Sequence, residues 1–186
     1  MGTSGTAPTI VVVMGVSASG KTTFGRLLAQ RLGVPFLEGD DFHSAENRAK
    51  MTAGHPLDDA DRVPWLEALA DWIRETRREH RGGVLACSAL KVEYRDLLLA
   101  ASPGVWFLHL ALDREVARER ISRRAGHFMA PELLDSQYDT LQPLRAGEPG
   151  LTIDAAADTA ANLDLVQSAV TRFEGAHHRT PDSGDL

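Results

Sequence analysis

Residues 15–23 read Gly15-Val16-Ser17-Ala18-Ser19-Gly20-Lys21-Thr22-Thr23. The spacing G-x-x-x-x-G-K-[ST] is what a backbone needs to wrap a polyphosphate. Gly15 and Gly20 admit dihedral angles that a side chain would forbid, so successive N–H groups turn inward at a helix N-terminus, toward phosphate oxygens. Lys21 brings a compact positive charge to the β- and γ-phosphates, and the Thr22 hydroxyl is a ligand for Mg²⁺. Residues 15–23 are therefore the nucleotide-binding candidates, with Lys21 catalytic and Thr22 metal-ligating. An apolar β-branched run, residues 9–14, precedes the motif, and a helical apolar spacing (Phe24, Leu27, Leu28, Leu32) follows it. A plain glycine-rich turn with a surface lysine is the other reading, and the two flanking elements count against it.

A second group of chemical residues is Glu38-Gly39-Asp40-Asp41-Phe42-His43. Carboxylates close to polyphosphate are costly unless a cation or a hydroxyl offsets them. Asp40 is thus a candidate both for holding Mg²⁺ and for accepting a hydroxyl proton. Capping of a helix that begins near Ser44 is the alternative for Asp40, and equally for Asp41 and His43. Further on, Arg120 and Arg124 lie one turn apart in a helix starting near Asp113, with no carboxylate at the favourable spacing. Their mutual repulsion calls for an outside anion, whereas Arg123 has Glu119 one turn before it as a surface partner. A triphosphate makes Arg120 and Arg124 candidates for stabilising the transferring group.

The elements that must position these groups alternate. Strand-like runs at residues 10–14, 35–37, 84–87, 105–110 and 151–153 are separated by helical patterns, which means βαβ units and a five-stranded parallel sheet with helices on both faces: an α/β fold. Ligands in such sheets sit beyond the carboxyl ends of the strands. The longest helix is expected to start at Asp61, tolerate Pro64 in its first turn and bury Leu66, Leu69, Ala70 and Ile73. Residues 10–175 read as one domain, with an acceptor-binding segment at about 41–66, a lid at about 124–135 and loose tails at 1–9 and 176–186.

A net charge of −6 argues against a general nucleic-acid or anionic-membrane binder. One cysteine, Cys87, gives no disulfide and no metal-ligand set. It reads as a small buried residue at a strand end, in a reducing cytoplasm. No run of residues is long and apolar enough for a membrane span. The third strand lacks the aspartate that switch GTPases and motor ATPases place at its end for Mg²⁺.

Residues 38–66 carry more. Gly39-Asp40, His43, Asn47 and Lys50-Met51, followed by Gly54, Pro56-Leu57, Asp59, Asp61-Arg62 and Pro64-Trp65-Leu66, resemble the gluconate kinase family pattern G-D-x-x-H-P-x-x-N-x-x-K-M, then G-x-P-L-x-D-x-D-R-x-P-W-L. The resemblance continues through Cys87–Lys91, Tyr94-Arg95-Asp96, Arg124–Phe128 and Ser136–Leu141, and departs from the family at Ser44, where proline is usual. Related shikimate kinases share the phosphate loop and the carboxylate after the second strand. The resemblance implies a P-loop nucleoside-kinase-like three-layer fold with a lid, ATP and Mg²⁺, γ-phosphoryl transfer to the 6-hydroxyl of D-gluconate, and a homodimer. Gluconate is a linear polyol with a carboxylate, so its site needs a cationic clamp and hydroxyl partners. Arg48, Lys50, Lys91 and Arg95 are the candidate cations; Asp40, His43, Asn47 and Ser88 are the candidate hydroxyl partners, and His127 lies in the lid. Lys91 and Arg95, one turn apart, are read as repelling each other unless an anion lies between them; an exposed helix face is the alternative. Two other functions stay open: a kinase of another small acceptor, such as shikimate or a nucleoside monophosphate, and a nucleotide-dependent binding switch.

Overall fold

Strand β1 (Ile10–Met14) is buried along its whole length, as the central strand of a parallel sheet must be. Around it lie β2 (Phe36–Glu38), β3 (Gly83–Ala86), β4 (Val105–Ala111) and β5 (Gly150–Asp154), all parallel, in the order β2-β3-β1-β4-β5. The structure is a computed structural model that describes residues 8–123 and 131–177. Its helices are α1 (Lys21–Leu32), α2 (Ala45–Thr52), α3 (Asp59–Arg78), α4 (Val92–Ala101), α5 (Arg114–Ser122), α6 (Pro131–Thr140) and α7 (Thr159–His177).

The period-2 alternation of β1 sends its side chains to two cores. Ile10, Val12 and Met14 join Leu66, Leu69, Ile73, Leu98 and Phe107 beneath α3 and α4. Val11 and Val13 join Phe24, Leu28, Leu108, Val166 and Val170 beneath α1 and α7. A third cluster forms beyond the strand ends, where Val16 packs against Leu90, Leu112, Ala117 and Leu134. Because β1 leads through α1 to the far side of β3, while β4 pairs on its other side, the chain reverses direction at β1. A crevice opens there at the carboxyl ends.

Every expected strand is present, with ends shifted by about one residue. The long helix begins earlier than expected, at Asp59: Asp58 is the N-cap, and Asp61 is its partner in a reciprocal capping box. Both aspartates suit an N-cap, and the box settles which of them takes it. Pro64 consequently lies inside the helix. Ser44, at the family's proline position, caps α2 by accepting the Asn47 N–H at 3.1 Å. The expected N-terminal tail is too long, because Thr9 is buried, donates to Glu174 and accepts from Gly83. At the other end α7 continues to His177. Of the expected lid, residues 131–135 form the start of α6 and residues 124–130 lie outside the described residues.

His109 on β4 is buried, and neither ring nitrogen has a hydrogen-bond partner among the described residues. Burial and then the nearby Arg95 charge push its pKa below the ordinary value. Burial does the same to His43. In the unfolded chain a histidine titrates near 6.5, so below that pH the unfolded state binds the proton more readily and stability drains away as pH falls. We expect the urea midpoint to drop between about pH 7.5 and pH 5.5, and to drop less in His109→Leu. An identical loss in the two proteins, followed by equilibrium unfolding, would contradict this.

Candidate active site

The loop from Gly15 to Gly20 hangs between β1 and α1. Gly15 has φ 146, and a Cβ there would stand 2.8 Å from the Leu110 carbonyl oxygen and 2.9 Å from the Ser19 hydroxyl. Gly20, with φ 91, is the N-cap of α1, and Ala18 adopts a positive φ of 65. The loop's outward-facing polar groups are tied down. The Gly15 N–H donates to the Ser88 carbonyl, the Ser17 N–H to the Gln137 side chain at 2.6 Å, and Arg120 donates to the Ala18 carbonyl at 3.1 Å. The Lys21 ammonium donates to Val16 O at 2.9 Å. The Ser19 hydroxyl is buried without a hydrogen-bond partner among the described residues. A cradle of glycines with an unspent hydroxyl and a lysine at its mouth fits a polyphosphate.

Beside the loop a cleft of about 400 Å³ is lined by Ala18, Ser19, Thr23, Arg120, Ala155 and Asn162, among others. Arg120 spans its edge, donating also to the Ala155 carbonyl at 3.2 Å. Arg123 pairs with Glu119 at 3.5 Å, as its spacing suggested. Arg124 and His127 lie outside the described residues.

At the loop's other lip the Thr22 hydroxyl donates to the Glu38 carboxylate. Sequence reasoning did not select Glu38; its place at the carboxyl end of β2, facing the helix that follows the phosphate loop, was the available signal. Asp40 sits in the 3-10 turn after β2, with its side chain 74% exposed and 3.9 Å from His43 Nε2. Because Ser44 caps α2, Asp40 is not needed as a cap. The Cys87 thiol, pushed up to about 12 by burial, also feels the charges of Asp40, Lys21 and Arg62. So protonated a thiol is no nucleophile at neutral pH.

Most acceptor-side candidates hold the segment together. His43 is buried and stacked on Trp65 at 4.2 Å between centroids, and Trp65 donates to the Gly39 carbonyl at 2.7 Å. Its pKa is lowered by burial, with Asp40 opposing and Arg62 and Arg48 reinforcing the shift, so the ring is neutral; its Nδ1 has no partner among the described residues. Asn47 is buried and donates to the Asp61 carbonyl at 2.8 Å. Lys50 pairs with Asp61 at 2.7 Å, and Lys91 with Asp59 at 2.7 Å.

Arg95 does not clamp a substrate. It is 0% exposed, and its five N–H donors go to both Glu148 carboxylate oxygens and to the carbonyls of Ala89, Gln142 and Pro143. The expected repulsion between Lys91 and Arg95 is answered by carboxylates from distant segments, Asp59 and Glu148, which helical spacing could not reveal. Burial raises the Glu148 carboxyl's pKa, yet its hydrogen bonds from Arg95 and the Arg145 N–H outweigh this and hold it below the ordinary value. Among the described residues, two acceptor-side arginines make no ion pair. Arg48 donates to the Asp41 carbonyl at 2.6 Å, and Arg62, half-buried, donates to the Leu57 carbonyl at 3.4 Å and lies over the Tyr94 ring. Sequence reasoning missed Arg62 because it sits in a charge-dense stretch, and only the fold shows which of those charges cancel.

Comparison with known proteins agrees with this geometry. The shikimate kinase family model matches residues 17–144, which places the chain in that wider group of kinases. The thermosensitive gluconokinase of Escherichia coli (strain K12) is 44% identical over 160 residues, spanning 86% of each chain. The gluconokinase of Gluconobacter oxydans (strain 621H) is 45% identical over 149 residues, 80% of this chain and 84% of that one. The chain belongs to the gluconokinase family. Among solved structures, a gluconokinase from Sinorhizobium meliloti 1021 aligns with TM-score 0.81 and 38% identity over 92% of this chain and 96% of that one. A sugar kinase from Janibacter sp. HTCC2649 aligns with TM-score 0.84 and 43% identity over 88% and 95%.

Removing Arg95 takes two guanidinium hydrogen bonds from the buried Glu148 and leaves it only Arg145, and breaking a buried ion pair typically costs about 3–5 kcal/mol. Arg95→Met is therefore expected to lose most of its denaturant stability. If it unfolds near the wild-type midpoint but binds the acceptor poorly, Arg95 is a ligand-binding residue after all.

Proposed function

We propose that the chain transfers the γ-phosphoryl group of ATP to the 6-hydroxyl of D-gluconate, giving 6-phospho-D-gluconate and ADP. The observation that carries the reading is the pair of arginines that make no ion pair among the described residues, Arg48 and Arg62, whose charges both reach His43 in the segment after β2. An arginine grips a carboxylate with parallel N–H donors, and a sugar acid carries its carboxylate at the end away from the reacting hydroxyl. Membership of the gluconokinase family supports the same acceptor.

In the reaction the acceptor oxygen forms a bond to the γ-phosphorus while the bond from that phosphorus to the β–γ bridging oxygen breaks. The hydroxyl proton passes to the Asp40 carboxylate, and ADP leaves with the bridging electrons. Lys21 trades its bond to Val16 for the phosphates, and Arg120, already anchored on the loop, adds charge beside the nucleotide. Because the transition state is loose, orientation and charge matter more than early deprotonation. His43, neutral, buried and stacked on Trp65, keeps the segment after Asp40 in place. The oxygen donors Thr22, Glu38 and Asp40 suit a hard cation, and Mg²⁺ held there would neutralise charge on the phosphate oxygens. Lys50, Lys91 and Asn47 hold the acceptor segment in shape through Asp61 and Asp59, while Arg95 braces the loop that carries Glu148, and the Ser88 carbonyl holds the Gly15 N–H.

The family resemblance also implies a homodimer, and a buried, protonated Cys87 suits a reducing cytoplasm. No described helix is long and apolar enough to cross a membrane. An ADP-release screen against D-gluconate, other sugar acids, shikimate and nucleoside monophosphates tests the acceptor. Gluconate is expected to be the preferred substrate, with kcat in Asp40→Asn falling by roughly 10²-fold or more and gluconate KM little changed. Strong turnover of shikimate or a nucleoside monophosphate without gluconate turnover would overturn the assignment. Wild-type kcat in Asp40→Asn would remove Asp40 from the chemistry.

A further inference from the structure

Helix α6 and the residue after it present Leu134, Tyr138 and Leu141 to the cluster that holds Val16 of the phosphate loop. Gln137 lies on the same stripe, one turn after Leu133 and Leu134 and one turn before Leu141. A half-buried amide on an apolar stripe loses hydration and needs a partner inside the protein. Its side-chain carbonyl finds one in the Ser17 N–H, at 2.6 Å. No described residue takes the amide N–H groups.

We propose that Gln137 is a positioning residue for the phosphate loop, and that α6 uses it to hold Ser17 in the conformation that binds ATP. The loop's neighbouring polar groups are fixed by other elements: Gly15 N–H by Ser88, and Ala18 O by Arg120. Ser17 lies between them, and among the described residues its N–H is tied only to α6. Without that tie the strained segment around Ala18, with its positive φ, loses one of its restraints. The residue type matters as well. Glutamate would keep the acceptor but bring a negative charge beside the triphosphate, whereas an amide fixes the loop without repelling the ligand. α6 is itself anchored at its far end: the Gln142 N–H donates to Leu90 O at 2.8 Å, and Arg95 holds the Gln142 carbonyl at 3.0 Å. The loop is thus braced through α6 against the buried Arg95–Glu148 pair.

The inference rests on the phosphoryl-transfer reading, but its test needs no acceptor. Calorimetric titration of ATP into the full chain compares the wild type with Gln137→Met and Gln137→Glu, each checked by thermal melting. The methionine variant fills the same space without an acceptor. It is expected to bind ATP roughly five- to tenfold more weakly, the scale of one lost neutral hydrogen bond, with a deficit indifferent to salt. The glutamate variant is expected to bind ATP more weakly at low salt and to recover as ionic strength screens the added charge. At saturating ATP and gluconate, kcat of the methionine variant is also expected to fall, while gluconate KM stays put. Wild-type or tighter ATP binding by Gln137→Met would overturn the proposal, because the contact would then only pack α6 or compete with phosphate for the N–H. Should Gln137→Met fail to fold, a glutamate variant binding ATP like the wild type at every salt concentration would overturn it equally. Failure of gluconate turnover alone would refute the acceptor assignment and leave this result standing.

Discussion

The backbone between Gly15 and Gly20 takes up a conformation that ordinary residues rarely adopt, with positive φ angles at Gly15, Ala18 and Gly20. Such a segment persists only when its surroundings over-determine it. The surroundings here are a fully buried β1 on one side and α1 on the other, with Val16 clamped in its own apolar cluster. Outward-facing groups are fixed by Ser88, Gln137 and Arg120, each from a different element. Much of the rest of the molecule can be understood as support for that loop: the central strand, the helix that begins at its last glycine, and α5 and α6 packed beneath it.

A second constraint shapes the acceptor side. The crevice gathers many charged groups, and the fold pairs most of them internally. Lys50 is held by Asp61, Lys91 by Asp59, and Arg95 by Glu148. The surface pairs contribute little stability individually, yet each removes a cation from competition for the substrate. Asp61 does three things at once: it closes the capping box of α3, neutralises Lys50, and accepts from Asn47 through its carbonyl. In this way the start of α3 and the whole of α2 become one rigid wall. Arg48 and Arg62, without carboxylates, are the charges that wall presents.

The phosphate loop was legible because its chemistry is local: glycine, lysine and threonine at fixed spacing have one economical explanation. The five strands were legible because both-face burial leaves continuous apolar runs in a parallel sheet, as in residues 10–14 and 105–110. Of Asp40, His43 and Asn47, two turn out buried, with Asn47 bracing the segment and His43 stacked inside it. What stayed hidden was non-local. Glu148 lies 53 residues from Arg95 and Asp59 lies 32 from Lys91, so one-turn charge spacing misread both cations as waiting for an outside anion. Arg62 was hidden for the converse reason, since nearby aspartates in the sequence are committed elsewhere in space. Gln137 reaches a backbone N–H 120 residues away, a partner that carries no sequence signature at all.

The central claim is that unpaired arginines, chiefly Arg62, select an acceptor by its carboxylate. The most direct measurement is kcat/KM for D-gluconate against its uncharged amide, D-gluconamide, in the wild type and in Arg62→Gln. The wild type should prefer the acid by roughly ten- to a hundredfold, the scale of a charge-assisted hydrogen bond, and Arg62→Gln should lose most of that preference by losing activity on the acid alone. A wild type that uses the amide as well as the acid, or an Arg62→Gln protein whose preference is undiminished, would contradict the account.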